Sequence, residues 1–209
     1  MTLRLNGSTS GYTEIDAPAV AGSNTLLLPT GAGSAYQVVR NGATAGSLEF
    51  TDKIVSGTAV ASTSGTSIDF TGIPSWVKRV TVNLWGVSTS GSSQPLIRIG
   101  SGGTFATTGY FSAASNLQNG GSVGVSTDTS GYIIFQNVGT QILYGVVVLT
   151  ALGDGVTWLA SGNYSSTPII VAGTTAGSKT LSGTLDRVRI TTVNGTDTFD
   201  AGSINILYE

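Results

Sequence analysis

The 209 residues include no histidine and no cysteine. Ser-His-Asp and Cys-His catalysis are therefore excluded, and so are zinc sites built on imidazole or thiolate. Eleven acidic residues remain. A glycosidase would need two of them held about 5–10 Å apart. Asp69, Asp128, Asp154, Asp186, Asp197 and Asp200 each lie within two residues of Gly, Ser or Thr, which suits turn formers and exposed strand positions. The stretch Asp197-Thr-Phe-Asp200 lacks the dense acidic loop of a calcium site. Gly100-Ser-Gly-Gly103 is glycine-rich, but no helix pattern follows it to cradle a phosphate, so it reads as a turn. No catalytic centre, cofactor or metal is expected.

Binding remains. An aromatic ring beside polar turns can stack on a sugar while amides and carboxylates meet the sugar hydroxyls. Asp154, Trp158, Asn163 and Tyr164 fall within one stretch, GDGVTWLASGNYSS, and Tyr110 with Phe111 lies in another, TTGYFSAASN. Segments 105–120 and 153–166 are therefore read as ligand-contacting loops. The competing reading of each ring is core or subunit interface, because large rings supply much of the buried area of a β-domain. Trp76, after Pro74, is read as core. Trp85 shares the parity of Arg79 and Thr81 and is read as facing outward, at a subunit interface.

These residues must be positioned by strands. The chain is 40% hydrophobic but only 10% charged, and it is rich in Gly, Ser and Thr, with a mean hydropathy of +0.24. Such hydrophobicity argues against disorder. The surface must be covered by hydroxyls and amides. Net charge is −2, without a basic patch, which argues against nucleic acid as partner. The longest apolar run, Ile142 to Leu152, is too short to span a bilayer, so no membrane insertion is expected. The first residues lack the apolar stretch of a signal peptide.

Val80, Val82 and Leu84 alternate with Arg79, Thr81 and Asn83, a period of two with one face buried. Leu96 to Ile99, Ile133 to Phe135, Leu143 to Leu149, Trp158 to Ala160, Ile169 to Val171, Leu185 to Val193 and Ser203 to Tyr208 read as further strands, about eight short ones in all. In the last, Ile204, Ile206 and Tyr208 share the inward face. Strands flank the turn at Asn194-Gly195. The fold expected is all-β: a C-terminal β-sandwich of jelly-roll type over 57–209 and a small N-terminal segment over 1–56. Within that segment Pro18 and Pro29 end extended pieces. Its apolar residues Leu26, Leu27, Leu28, Val38 and Val39 are too few for a private core. It is expected either to pack on the sandwich or to intertwine with copies from other chains.

Three stretches resemble bacteriophage tail-fibre proteins, in the same order as in such fibres: GSTSGYTEIDAPAVAGSNTLLLPTGAGSAYQVVRNGATAGSLEF (7–50), GTSIDFTGIPSWVKRVTVNLWGVSTSGSSQPLIRIGSGG (65–103) and TLSGTLDRVRITTVNGTDTFDAGSINILYE (180–209). The resemblance implies an intertwined N-terminal attachment segment and a homotrimer. It implies a place in the virion tail, after synthesis in the host cytoplasm, with other tail or baseplate proteins as partners. It also implies a receptor-binding head that recognises host surface glycan without cleaving it. Unlike a long fibre, this chain has no shaft between the two motifs. A structural virion protein, decoration or baseplate accessory, is the alternative.

Overall fold

The structure, a computed structural model, describes every residue except 1, 2, 16–18, 20, 21, 24, 35, 36, 52 and 137. The expectation for Pro18 lies outside these residues. The protein is all-β, and its chain divides into two units, Met1–Lys53 and Ile54–Glu209.

The N-terminal unit holds two hairpins. β1 (Leu3–Asn6) pairs with β2 (Tyr12–Ile15), and β3 (Val38–Asn41) with β4 (Leu48–Thr51). In the first, Leu3 stands opposite Ile15 and Arg4 opposite Glu14. One side is therefore apolar, while on the other Arg4 pairs with Glu14 and lies over the Tyr12 ring. Against the second hairpin, Gly33 supplies a positive φ of 69° and has no Cβ where one would meet the Phe50 ring.

The C-terminal unit is a β-sandwich. The short β5 (Val55–Ser56) and β6 (Val60–Ala61) lead into β7 (Ile68–Thr71) and the long β8 (Arg79–Thr89). Then come β9 (Pro95–Ser101), β10 (Thr104–Phe105), β11 (Phe111–Gln118), β12 (Val123–Asp128) and β13 (Tyr132–Ile133). The chain ends through β14 (Ile142–Ala151), β15 (Thr157–Thr167), β16 (Val171–Thr180), β17 (Leu185–Thr192) and β18 (Phe199–Tyr208). Several strands run to 10 or 11 residues, longer than the short strands expected. A nine-stranded sheet has the order β12-β11-β16-β15-β14-β8-β18-β5, with β6 also on β18. A five-stranded sheet has the order β10-β9-β17-β7, with β13 on β9.

The alternation read in the sequence sets the core. Val80, Val82 and Leu84 of β8, Leu143, Val147 and Leu149 of β14, and Ile204 and Ile206 of β18 all point inward and are buried. Tyr208 packs on their margin. They share one core with Leu96, Ile97 and Ile99 of β9 and Val188 and Ile190 of β17 in the other sheet. Burial of one such side chain contributes about 1.5–3 kcal/mol.

Two turns repay closer reading. Ser101 pairs with Thr104, so Gly102 and Gly103, with φ of 58° and 87°, form a two-residue hairpin turn, which needs positive φ at both central positions. Asn194-Gly195 also turns, with Gly195 at φ 67°, but its flanking strands do not pair. β17 belongs to the five-stranded sheet and β18 to the nine-stranded one, so the turn carries the chain from one layer to the other.

Candidate functional site

The structure separates the residues expected to contact ligand. Tyr110, Trp158 and Tyr164 are core residues, exposed by only 3%, 1% and 4%. None can offer a ring face to a sugar. The loops that were to carry them are largely strands, β11 and β15, and parity turns these rings inward.

Tyr164 has a particular reason for its place. It stands between Gly145 on β14 and Gly173 on β16, and a Cβ on Gly173 would overlap its ring. Its hydroxyl donates to the Ser115 carbonyl at 3.1 Å and accepts from the Phe135 N–H, also at 3.1 Å. The Tyr110 hydroxyl accepts from the Ile99 N–H at 2.8 Å, and its ring meets Tyr132 edge-on at 5.1 Å. Burial pushes both the Tyr110 and Tyr164 hydroxyls up to about 12, so both stay protonated.

Asp154 is exposed and builds a turn. Its Oδ1 accepts the N–H groups of Val156 at 3.0 Å and Thr157 at 2.8 Å, which holds the carboxyl below its usual range. Asn163 alone of the set lies on an exposed strand position suited to binding. Asp197 and Asp200 serve the fold: Asp197 accepts from the Ser93 N–H and from Asn194, and Asp200 from Ser88. Among the described residues no cluster of three or more acidic side chains could hold a metal ion.

Two tryptophans divide differently. Trp76, read as core, is 39% exposed and tilts against Tyr208 at 5.9 Å. It lies at the margin because it falls outside β8, in the turn before it. Trp85 is 71% exposed, on the outward side of the nine-stranded sheet. The register on both flanks of β8 slips here: from β14, Leu143 faces Val87 while Gly145 faces Leu84, and from β18, Ala201 faces Ser88 while Ser203 faces Trp85. β8 thus carries an extra residue against both neighbours: Trp85-Gly86 stand opposite Tyr144 of β14, and Gly86-Val87 opposite Gly202 of β18. Gly86 takes a φ of 64°, and Gly202 opposite takes 91° where a Cβ would overlap the Gly86 backbone. Bulges of this kind re-aim side chains and recur beside functional sites.

The bulge presents Trp85 with Tyr144, ring centroids 5.4 Å apart and nearly perpendicular at 83°. In register one row along, Asn163, Val146, Asn83 and Asn205 follow one another across β15, β14, β8 and β18. From β11 to β8 the outward positions are otherwise Ser, Thr, Ala and aliphatic residues, apart from the exposed Phe111 at the start of β11, with Arg79 as the charge, paired to Glu209. The result is an uncharged plane of hydroxyls and amides with one aromatic pair raised from it. A flat apolar ring beside neutral amides and hydroxyls suits stacking on a pyranose. The sequence signal for it was parity: Trp85 alone of the tryptophans sits on the polar side of a clear period-two strand.

No family model matches the chain, and no curated protein is similar to it. Among solved structures, one titled "Structure of infectious bursal disease virus Gx strain" aligns with 82% of this chain and 43% of its own, at 10% identity and a TM-score of 0.13. At that score the likeness carries no argument about fold or function.

Proposed function

We propose that the chain is a virion adhesin of the tail-fibre type, which recognises host surface glycan and works as a homotrimer. The observation that carries it is the Trp85–Tyr144 pair, held out by a double-sided bulge on an otherwise uncharged sheet face. The resemblance of its N-terminal, middle and C-terminal stretches to tail fibres supports the same reading. Trimerisation is supported by the N-terminal unit, where Leu3, Leu5, Ile15, Leu26, Leu27 and Leu28 are all more than half exposed, apolar area that association would cover. On this reading the protein binds without cleaving, takes no cofactor, is made in the host cytoplasm and joins tail or baseplate proteins.

A single sugar contact is weak, near millimolar, or about −4 kcal/mol. Three heads on one particle raise avidity through effective concentration. The test is an array of bacterial surface polysaccharides probed with labelled full-length protein, beside its Trp85→Ala and Tyr144→Ala variants. Binding by the parent that both variants lose, with melting temperature unchanged, supports the proposal. Binding untouched by both variants removes the platform from it.

A second reading, a structural virion protein without receptor, has its own support. Leu117, Val123 and Val125 cluster at the β11–β12 edge and are all more than half exposed, as a docking patch for a fixed neighbour would be. No glycan binding together with stable capture of a purified tail or capsid protein would favour it.

A further inference from the structure

A second feature lies apart from the Trp85 plane, at the end of the sandwich where the two sheets part. A cleft of about 410 Å³ opens there, between the β9–β10 hairpin of one sheet and the end of β16 of the other. Its size falls within the roughly 300–1,000 Å³ of small-molecule sites. Ser101, Thr104, Thr180 and Ser182 line it with hydroxyls, Leu181 gives it an apolar wall, and Lys179 gives it a charge.

Lys179 is out of character for its position. Along β16 the inward parity runs through Val171 and Thr175, both buried, and reaches Lys179 two positions after Gly177. A cation facing into a sandwich costs free energy unless it reaches an opening or a partner. Lys179 reaches the cleft. Its ammonium lies 5.5 Å from the centre of the Tyr110 ring. Gly109, at φ 73°, leaves room for it: a Cβ there would stand 3.1 Å from Nζ. Arg4, Arg40, Arg79, Arg187 and Arg189 all pair with carboxylates, whereas Lys179, like Lys53, Lys78 and Arg98, forms no ion pair among the described residues. Beside it the Ser101 and Ser182 hydroxyls stand 3.3 Å apart.

We infer that this cleft binds an acidic saccharide, Lys179 holding the carboxylate or phosphate and the surrounding hydroxyls meeting those of the ring. A compact ammonium accepts either anion as a point charge. A bare inorganic anion would leave most of the cleft and its hydroxyls unused. The inference rests on the reading of the chain as a glycan binder and names the class of glycan: acidic, with the charge read here and a neutral ring stacked at Trp85.

The experiment is ligand-observed NMR on the full chain with four probes: glucuronate, glucose 6-phosphate, glucose and inorganic phosphate. One or both acidic sugars should bind about tenfold or more tightly than glucose, the loss expected when a charge-assisted contact is removed. Whichever binds better tells carboxylate from phosphate. Lys179→Met should abolish the preference at unchanged melting temperature, and Lys179→Arg should keep much of it. Equal binding of glucose and the acids, a preference that survives Lys179→Met, or inorganic phosphate binding as well as the sugars would overturn the inference. Trp85-dependent binding on the polysaccharide array, with none of the acids bound here, would sink this inference and spare the adhesin reading. Lys179-dependent binding of acids with no role for Trp85 on the array would do the reverse.

Discussion

The two units of this chain are made of the same residue types and come to opposite ends. From Ile68 onward the sandwich buries its Val, Ile and Leu in one cluster. Among the described residues before Ile54, none is fully buried, and Val38, Leu48 and Phe50 are only half-buried. Leu3 and Leu5 of β1, and Leu48 and Phe50 of β4, alternate with polar residues as the core positions of β8 do. The difference is the number of layers. An isolated two-stranded hairpin is marginal in water, because its apolar side has nothing to face, whereas the sandwich gives each sheet a second sheet. Patterning makes strands; only a second layer makes a core.

The largest effect expected from this contrast is on assembly. Full-length protein should sediment as three copies of the 21.1 kDa chain, and a protein starting at Ile54 should sediment as one, still folded and with a similar melting temperature. Unfolding of the shortened protein would erase the distinction between the units, and a trimer formed without residues 1–53 would move the association to the sandwich. Next in size, Trp158→Ala should destabilise the sandwich by about 3–5 kcal/mol in denaturant titrations, because Trp158 is 1% exposed. The matched change in the other unit, Leu27→Ser, should leave that unfolding transition in place and weaken the trimer.

A smaller effect should appear at alkaline pH. Tyr110 and Tyr164 hold their protons up to about 12 in the folded protein, against about 10 in the unfolded chain. The unfolded state therefore loses protons first as pH rises. The contribution of these groups is fully present below about pH 10 and is lost between about pH 10 and 12, on the order of 2–3 kcal/mol for each. Denaturant midpoints measured from pH 9 to 11.5 should fall, and less steeply in Tyr110→Phe. A flat profile would mean that these hydroxyls are not buried as described. The smallest effect belongs to Asp154→Ala. Two turn hydrogen bonds in a fully exposed position are screened by solvent, so the denaturant midpoint should move only slightly, and glycan binding should be unchanged.

Much of the fold was legible because alternation is a local signal. Ile204 and Ile206 declared their side at a glance, and so did Trp85. The glycan-contact residues were misplaced for a reason that is not local. Tyr110 and Trp158 sit among Gly, Ser and Thr, which in most chains means loop. Here Ser and Thr fill the outward positions of long strands, because so few charged residues are available to cover the surface. Tyr164 looked like a loop aromatic beside Asn163, yet its burial depends on Gly145 and Gly173 in two other strands, a coincidence visible only once register is known. The cleft at Lys179 escaped for the same reason. Its hydroxyls include those of residues 101 and 182, brought together by the β9–β10 turn and the β16–β17 connection, which are far apart in sequence.

The place of β18 has a consequence for how the molecule is made. It lies between β8 on one side and β5 and β6 on the other, so three early segments wait for the most distant one. During synthesis, β8 will have left the ribosome more than a hundred residues before its partner exists. Until then its Val80, Val82 and Leu84 lack their neighbours on that flank, and so lie open to wrong pairings. Topologies dominated by such distant partners close slowly, and their unpaired edges invite aggregation. A chain of this protein that stops short of β18 is therefore a sticky one.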